Sequence, residues 1–413
     1  MSSPVLPTTR AQVSGHRFLQ RRVEHGLVLG DIRMIHDPLG ARRRAMIFGL
    51  VAVVLIGLGA GLMAWLRPAA DPGGDAPILQ TADGALFVRV DDTVHPVANL
   101  ASARLIAGEP AEPARIADHL LAGLNRGAPV GIHPAPTLLA GESGHDPAWS
   151  VCSDPDGVTV LAGAETSPLG GHRGVLAVGA DRDWVLTTTG RAELPPAGSP
   201  EGRVIRRALG ITADTPRWRP PVEVLTAVTE LTPLRPPADL PHALLDTGTQ
   251  TWAQTPAGIT PVTDVQAEIL TGMGVRTRTV APEDTASLAD APAFPGLPAI
   301  APMWVDPQVV TVCVGGDGGT TTLPPELETP APVLLPGDGI ADQFIGLTEG
   351  ARAVSTGHGH HVIDATGLRH EVPDRAALAA LGLPEPVPAP WDIIRLLPEG
   401  ARLDAEAART STH

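Results

Sequence analysis

"ARRRAMIFGLVAVVLIGLGAGLMAWLRP", residues 41–68, decides how the rest of the chain is read. From Ala45 to Leu66 there is no charged residue. At about 1.5 Å per residue a helix over that run spans roughly 33 Å, enough for a hydrocarbon core of about 30 Å. A signal peptide has a shorter apolar core that starts near the N-terminus, whereas this run follows 44 residues of chain. Ala69 and Ala70 imitate a cleavage site, but the length and late start of the run predict a retained membrane helix over 45–66, followed by a linker at 67–77. Before it lie Arg10, Arg17, Arg21, Arg22, Arg33, Arg42, Arg43 and Arg44 against Glu24, Asp31 and Asp37. That excess keeps residues 1–44 in the cytoplasm and sends the remainder, 347 residues, to the extracytoplasmic (periplasmic) side.

The outer part is acidic. Taking those eight basic and three acidic residues from chain totals of 30 and 45 leaves 22 against 42, a net charge of −20. Nucleic acid calls for a basic patch, so it is not an expected partner. The whole chain has 44 prolines, 45 glycines, no tyrosine and no lysine, so the outer part reads as short elements joined by tight turns rather than a long helical bundle. Its length is enough for two or more domains. The two cysteines, Cys152 and Cys313, both fall outside the membrane and predict one disulfide. A bridge over that separation means that the chain leaves one domain and later returns to it.

A weak internal repeat supplies the excursion. Four times a residue in a strand-like run is followed ten positions on by an apolar one: Phe87 and Val97, Trp184 and Leu194, Trp252 and Val262, Val362 and Val372. Turn formers such as Asp91, Asp92, Gly190, Gly258 and Gly367 lie between, so each pair reads as a hairpin. A helix follows, clearest in "DRAALAAL" at 374–381, with Asp374 as N-cap and Gly382 as stop. The expectation is an α+β ectodomain with repeat units at 78–127, 183–235, 243–285 and 355–402, and a flexible tail at 403–413. A central β domain is expected from 128–182 and 286–354, which hold one cysteine each and the apolar runs "VTVLAG" (158–163), "GVLAVG" (174–179) and "QVVTVCVGG" (308–316).

The segment from Thr8 to Arg44 resembles the membrane-proximal signature of the EccB family of type VII (ESX) secretion systems. The likeness rests on "QVSGHRF" at 12–18, "RRVEH" at 21–25, and His36-Asp37-Pro38 before the basic cluster. It extends over the whole chain: the single span, four repeats, and a disulfide-bridged central domain. The family resemblance implies a structural core component of a secretion complex in the cytoplasmic membrane. Its implied partners are an EccC-type FtsK/SpoIIIE ATPase, an EccD-type polytopic channel subunit, an EccE-type subunit and a MycP-type mycosin protease, with self-association of ectodomains. Read from the residues alone, 9–35 forms a basic amphipathic helix ended by Asp37-Pro38, with Leu19, Val23 and Leu27 on one stripe and Arg17, Arg21 and His25 beside it. Such a helix either lies on anionic lipid or docks on a partner; the resemblance favours docking, through Arg10, Arg17, Phe18, Leu19, Arg21, Arg22, Val23 and Leu27. Gly26 within it allows a bend.

Catalytic motifs are weak. EccB-like proteins are often described as ATPases, but a Walker loop needs a lysine, and the glycine-rich "VGGDGGTTT" at 314–322 has none. "LLDTGT" around Asp246 matches half of an aspartic protease, whose chemistry needs a second carboxylate. His358, His360 and His361, with His370 nearby, could ligate zinc but read as a loop. "GESG" at 141–144 misses the nucleophile elbow by one residue. Within the span, Gly57 and Gly61 would permit close helix packing. No cofactor or metal is expected. The reading is a scaffold, with an ATP hydrolase or a cell-wall-binding membrane anchor as alternatives.

Overall fold

The computed structural model describes every residue except 1–8, 31, 34–37, 66–70, 138, 140–145, 325–329, 338, 384 and 413. It divides into two units, Met1–Asp71 and Pro72–His413.

In the first unit a helix spans Arg10–Leu29. Thr9 starts it: its hydroxyl accepts the Gln12 N–H while the Gln12 side chain returns to the Thr9 N–H, a reciprocal cap. The helix stops at Leu29, short of the expected end, because Gly30 adopts the left-handed conformation (φ 68°) and ends it with its N–H on the Gly26 carbonyl. Gly26 does not break the helix. A Cβ there would sit 3.1 Å from Ile32, so glycine leaves room for the chain that folds back after Gly30. The second helix, Pro38–Trp65, begins earlier than the uncharged run predicted. Proline suits a first helical position, where its missing N–H would have no intrahelical partner. The span Ala41–Met63 is long and apolar enough to cross a membrane, and its side chains are exposed. Leu66, Ala69 and Ala70 lie outside the described residues.

In the second unit the described residues form five sheets, and four of the small ones are laid out alike. In the first, Ile78–Gln80, Leu86–Val90 and Thr93–Val97 make an antiparallel meander. Helix Leu100–Ala107 follows, then Ala114–Arg115 parallel to the first strand, a short helix Asp118–Leu121, and Asn125–Arg126 parallel to the third. The third sheet repeats this with Ala243–Asp246, Thr251–Thr255, Gly258–Val262, helix Asp264–Gly272, parallel strand Thr277–Thr279, short helix Pro282–Ala286, and a parallel bridge from Ile259 to Asp290. The fourth uses Arg352–Ser355, His360–Ile363, Arg369–Val372, helix Arg375–Leu381, Val387–Pro388, helix Trp391–Ile394, and a bridge from Arg369 to Glu399.

The second sheet begins earlier than expected. Arg173–Val178, which contains the run assigned to the central domain, pairs instead with Asp183–Thr187 across the turn closed by the Gly179 N–H on the Arg182 carbonyl. Gly190–Glu193 completes that meander. Its parallel edge is shared: Trp218 bridges Ala177, and Met303–Trp304 pairs with Arg173 and Gly174. The fourth sheet corrects a register. In the first three, the aromatic pairs across to the residue nine positions on: Phe87 with Pro96, Trp184 with Glu193, Trp252 with Pro261. The turn Asp364–Leu368 is one residue longer, so His361, paired with Glu371, occupies the aromatic position, and Val362 points to the other face.

The fifth sheet runs in the order Val333–Leu334, Gln343–Gly346, Gly157–Ala162, Trp149–Asp154, Val312–Gly315, Thr320–Thr322, Ser167–Pro168. Cys152 and Cys313 face each other on its neighbouring antiparallel strands and are bonded. The sheets assemble through three larger cores. Val88, Leu105, Val362 and Leu381 join the first sheet to the fourth. Val185, Ile205, Leu244 and Leu270 join the second to the third. The disulfide sheet shares a core with the remaining faces of the second and fourth, through Val160, Val314, Trp184, Val224, Ile363 and Ile393. The segment expected as a flexible tail is ordered instead. Helix Ala405–Ala408, capped by Asp404, buries Leu403 and Ala408 in the core shared by the first and fourth sheets, and Ser411 bridges Val130.

Candidate interaction surfaces

On the N-terminal helix Phe18, Leu19, Val23 and Leu27 are 54, 59, 60 and 82 % exposed. Arg10, Arg17, Arg21 and Arg22 share the exposed surface, and His25 is buried. Water leaves such an apolar stripe uncovered only at a cost of about 25 cal/mol per Å². In the membrane helix a Cβ at Gly57 or Gly61 would meet nothing within 4 Å, so both positions are open to a neighbour.

The weak catalytic motifs resolve into local structure. The 314–322 loop is a tight turn between strands. Its Gly315 and Gly318 N–H groups donate to the Gly319 and Gly315 carbonyls, and the Gly319 N–H donates to Asp317 Oδ1. Those donors are therefore committed and do not form a phosphate cradle. Asp246 accepts the Gly248 N–H at 2.8 Å, closing the turn after its strand. The 141–144 motif lies outside the described residues.

The histidines do not converge, and no group of three metal-ligating side chains occurs among the described residues. His370 is fully buried, and its Nδ1–H donates to the Ala401 carbonyl at 2.7 Å, with its ring where a Cβ on Gly400 would lie. In the first sheet His95 does the same with the Ala128 carbonyl and Gly127. The shared signal was visible as a histidine two residues before a valine, with a glycine some thirty residues on. Beside His370, burial pushes the Asp364 carboxyl up, but His370, Thr366 and the Leu368 N–H more than offset that and hold it below the usual value. His361 is 3 % exposed, and neither ring nitrogen has a protein partner. Trp391 stacks on both His361 and His358, with centroids 5.4 and 5.0 Å apart, and the Arg369 guanidinium lies 5.2 Å from the Trp391 ring. Burial, then the Arg369 charge, depresses the His361 pKa. No sequence motif marks Trp391, or Arg104 on helix Leu100–Ala107.

A basic N-terminal segment, one apolar helix and a large disulfide-bonded β-rich region define a single-pass membrane protein with a cytoplasmic N-terminus. Residues 5–243 and 241–413 match the family model for EccB, described as type VII secretion system ESX-1, transport TM domain B, and the chain belongs to that family. It is 29 % identical over 456 residues to the ESX-1 secretion system ATPase EccB1 of Mycobacterium tuberculosis, covering 97 % of this chain and 94 % of the relative. It is also 29 % identical over 479 residues to the ESX-3 secretion system ATPase EccB3 of the same organism, covering 96 % and 88 %. A chain of the intact ESX-5 inner membrane complex superposes with a TM-score of 0.68 at 26 % identity, covering 100 % of this chain and 97 % of that one. The EccB3 dimer from the ESX-3 core complex shares the fold, with a TM-score of 0.67 at 22 % identity over 81 % of this chain.

Proposed function

We propose that the chain is a structural component of a type VII secretion complex in the cytoplasmic membrane. The carrying observation is the uncovered stripe of Leu19, Val23 and Leu27, with Phe18 exposed to one side of it, on a basic cytoplasmic helix, on a chain that superposes along its whole length on a subunit of the ESX-5 inner membrane complex. In this reading the helix holds the motor and channel subunits, of EccC and EccD type, and Gly57 and Gly61 pack the span against a neighbour. The ectodomain organises the outer side, where EccE-type and mycosin partners and other copies of the ectodomain meet it. The four small sheets are read as copies of one unit, at about 78–127, 173–235, 243–291 and 352–402, held around the disulfide sheet.

The relatives are named ATPases. The absence of lysine and the committed N–H groups of the 314–322 turn argue that any hydrolysis would need a site of another kind. The test is V23E/L27E in the full chain, solubilised from native membranes in mild detergent. Loss of co-migration with an FtsK/SpoIIIE-type ATPase in a megadalton-scale species, with the protein still in the membrane, supports docking. Unchanged co-migration overturns it.

A further inference from the structure

His361 occupies the position that carries Phe87, Trp184 and Trp252 in the other three sheets. Each of those rings is uncharged at every pH in the biological range. Histidine has a ring of similar flatness that gains a charge near pH 6.5. His361 lies on the face of the fourth sheet shared with Ile363, whose core joins that sheet to the disulfide sheet, and it is covered by Trp391 at the start of helix Trp391–Ile394. That helix also meets helix Val222–Thr226, which follows the second sheet: Arg395, just past its end, donates from Nη2 to Thr226 Oγ1 at 2.9 Å and reaches the Glu223 carbonyl at 3.4 Å. The ring stack therefore sits at the start of the helix that joins the fourth sheet to helix Val222–Thr226.

We propose that His358, His361 and Trp391 form an acid-sensitive latch that holds helix Trp391–Ile394 and its junction with the disulfide sheet closed while His361 is neutral, and releases it when His361 is protonated. Neutral imidazole stacks on the indole without needing a charged partner. Both of its nitrogens are already without hydrogen bonds, so protonation places a second N–H and a full charge where nothing accepts either, a cost that opening to water removes. The groups around it do not neutralise that charge. Strand Arg369–Val372 presents Arg369, which opposes protonation, and Glu371, which favours it; His360 on its own strand opposes it, and Glu399 beyond the helix favours it. Glu399 lies 4.0 Å from Arg369 and is shared with it. The neighbouring strand contributes the neutral Val354 opposite His361, and on the helix Asp392 is paired with Arg395 at 3.4 Å. The net effect of these groups and of burial is a lowered pKa. The folded state therefore prefers the neutral ring, and the latch is fully closed above the unfolded value of about 6.5 and weakens as pH falls below it.

The test is hydrogen–deuterium exchange of the full chain in nanodiscs between pH 7.5 and 4.5, corrected for the intrinsic pH dependence of exchange. Peptides covering 389–397 and 352–363 are expected to lose protection below pH 6.5, by up to tenfold per pH unit until the folded-state pKa is passed, while peptides of helix Asp264–Gly272 stay unchanged. In His361→Phe, which restores the ring type found at Phe87, the response is expected to vanish. A flat wild-type profile, or an undiminished response in His361→Phe, overturns the latch. Should that variant fail to form the Cys152–Cys313 bond, NMR titration of His361 in the wild type decides: a midpoint below 6.5 supports the latch and one at or above 6.5 overturns it.

Discussion

The ectodomain contains two seams of one design, and they are closed in different ways. At one, helix Leu100–Ala107 of the first sheet packs on Arg375–Leu381 of the fourth; at the other, Pro200–Ala208 of the second packs on Asp264–Gly272 of the third. The second and third sheets are neighbours in sequence, with only residues 231–242 between Glu230 and Ala243. The first and fourth lie at opposite ends of the ectodomain, with residues 127–351 between Arg126 and Arg352. Treated as flexible chain, closing that longer connection costs about 2.6 kcal/mol more than closing the shorter one, and about 1.5 once the disulfide shortens the path. The distant seam is fastened by a buried arginine and by a clasp made from the C-terminal segment, the near one by Leu297 and Trp304 from the segment after the third sheet. The two seams therefore differ in the chain that connects them as well as in what covers them.

The clasp should be the larger effect. Leu403, fully buried, belongs to the core of the distant seam, and the Thr412 and Gly131 N–H groups tie this segment to the first sheet through the Pro129 and Thr410 carbonyls. Its counterpart at the near seam, four residues after Glu230 as Leu403 is after Glu399, is Leu234 at 9 % exposure. Ending the chain at Arg402 should cost more than the ~3 kcal/mol typical of a single buried Leu→Ala change. In hydrogen exchange the loss of protection should fall on Leu100–Ala107 and Arg375–Leu381 and spare Pro200–Ala208. Equal loss at both seams would mean that connectivity is not what separates them.

Arg104 should come next. It is 8 % exposed. Its Nη1 donates to the Leu381 carbonyl at 2.8 Å, its Nε to the Ala111 carbonyl at 3.2 Å, and its Nη2 to Glu112 Oε1 at 2.7 Å. The first of these caps the last turn of the fourth sheet's helix from across the seam, a cation at a helix C-terminus. Arg104→Met keeps the stem and removes the donors, and should cost about 2 to 3 kcal/mol in denaturant unfolding. Glu112→Gln, which changes a mostly exposed carboxylate, should cost well under 1 kcal/mol. Similar losses for both would move the weight from the carbonyl contact to the surface ion pair.

Much of this architecture was legible beforehand, and the failures share a cause. The membrane helix, its orientation and the disulfide follow from features independent of tertiary structure: an uncharged run, an arginine imbalance, and two cysteines in an oxidising compartment. The strand 173–178 was assigned to the wrong sheet because an apolar run shows that a strand is buried without naming its partner, which here is set by the short turn after Gly179. The helix after residue 403 was missed because "DAEAA" is short and mostly polar, and tertiary packing supplies most helical stability. The spacing of ten residues puts Val362 where His361 sits, because it does not register a turn that is longer by one. The exposed apolar residues Leu19, Val23 and Leu27 of the N-terminal helix are readable from their spacing, whereas the Trp391 stack joins residues thirty apart through the fold alone.

The near seam supplies the smallest and sharpest test. Its helices approach so closely that a Cβ on Gly272 would lie 2.7 Å from Val204 Cγ1, and valine, branched at Cβ, cannot swing away without leaving its rotamer. Trp304 also reaches into this region, its indole N–H on the Leu209 carbonyl at 3.1 Å. Gly272→Ala gains helix propensity of about 1 kcal/mol, but overpacking costs about 1 to 3, so the net should be a loss of about 1 kcal/mol. Because the 231–242 connection keeps the second and third sheets close even when the seam loosens, the change should lower the melting temperature without separating them. Combining it with V204A, which removes the clash, should recover the propensity gain. If Gly272→Ala alone stabilises, the seam yields to the methyl group, and tight packing is not what holds the sequence neighbours together.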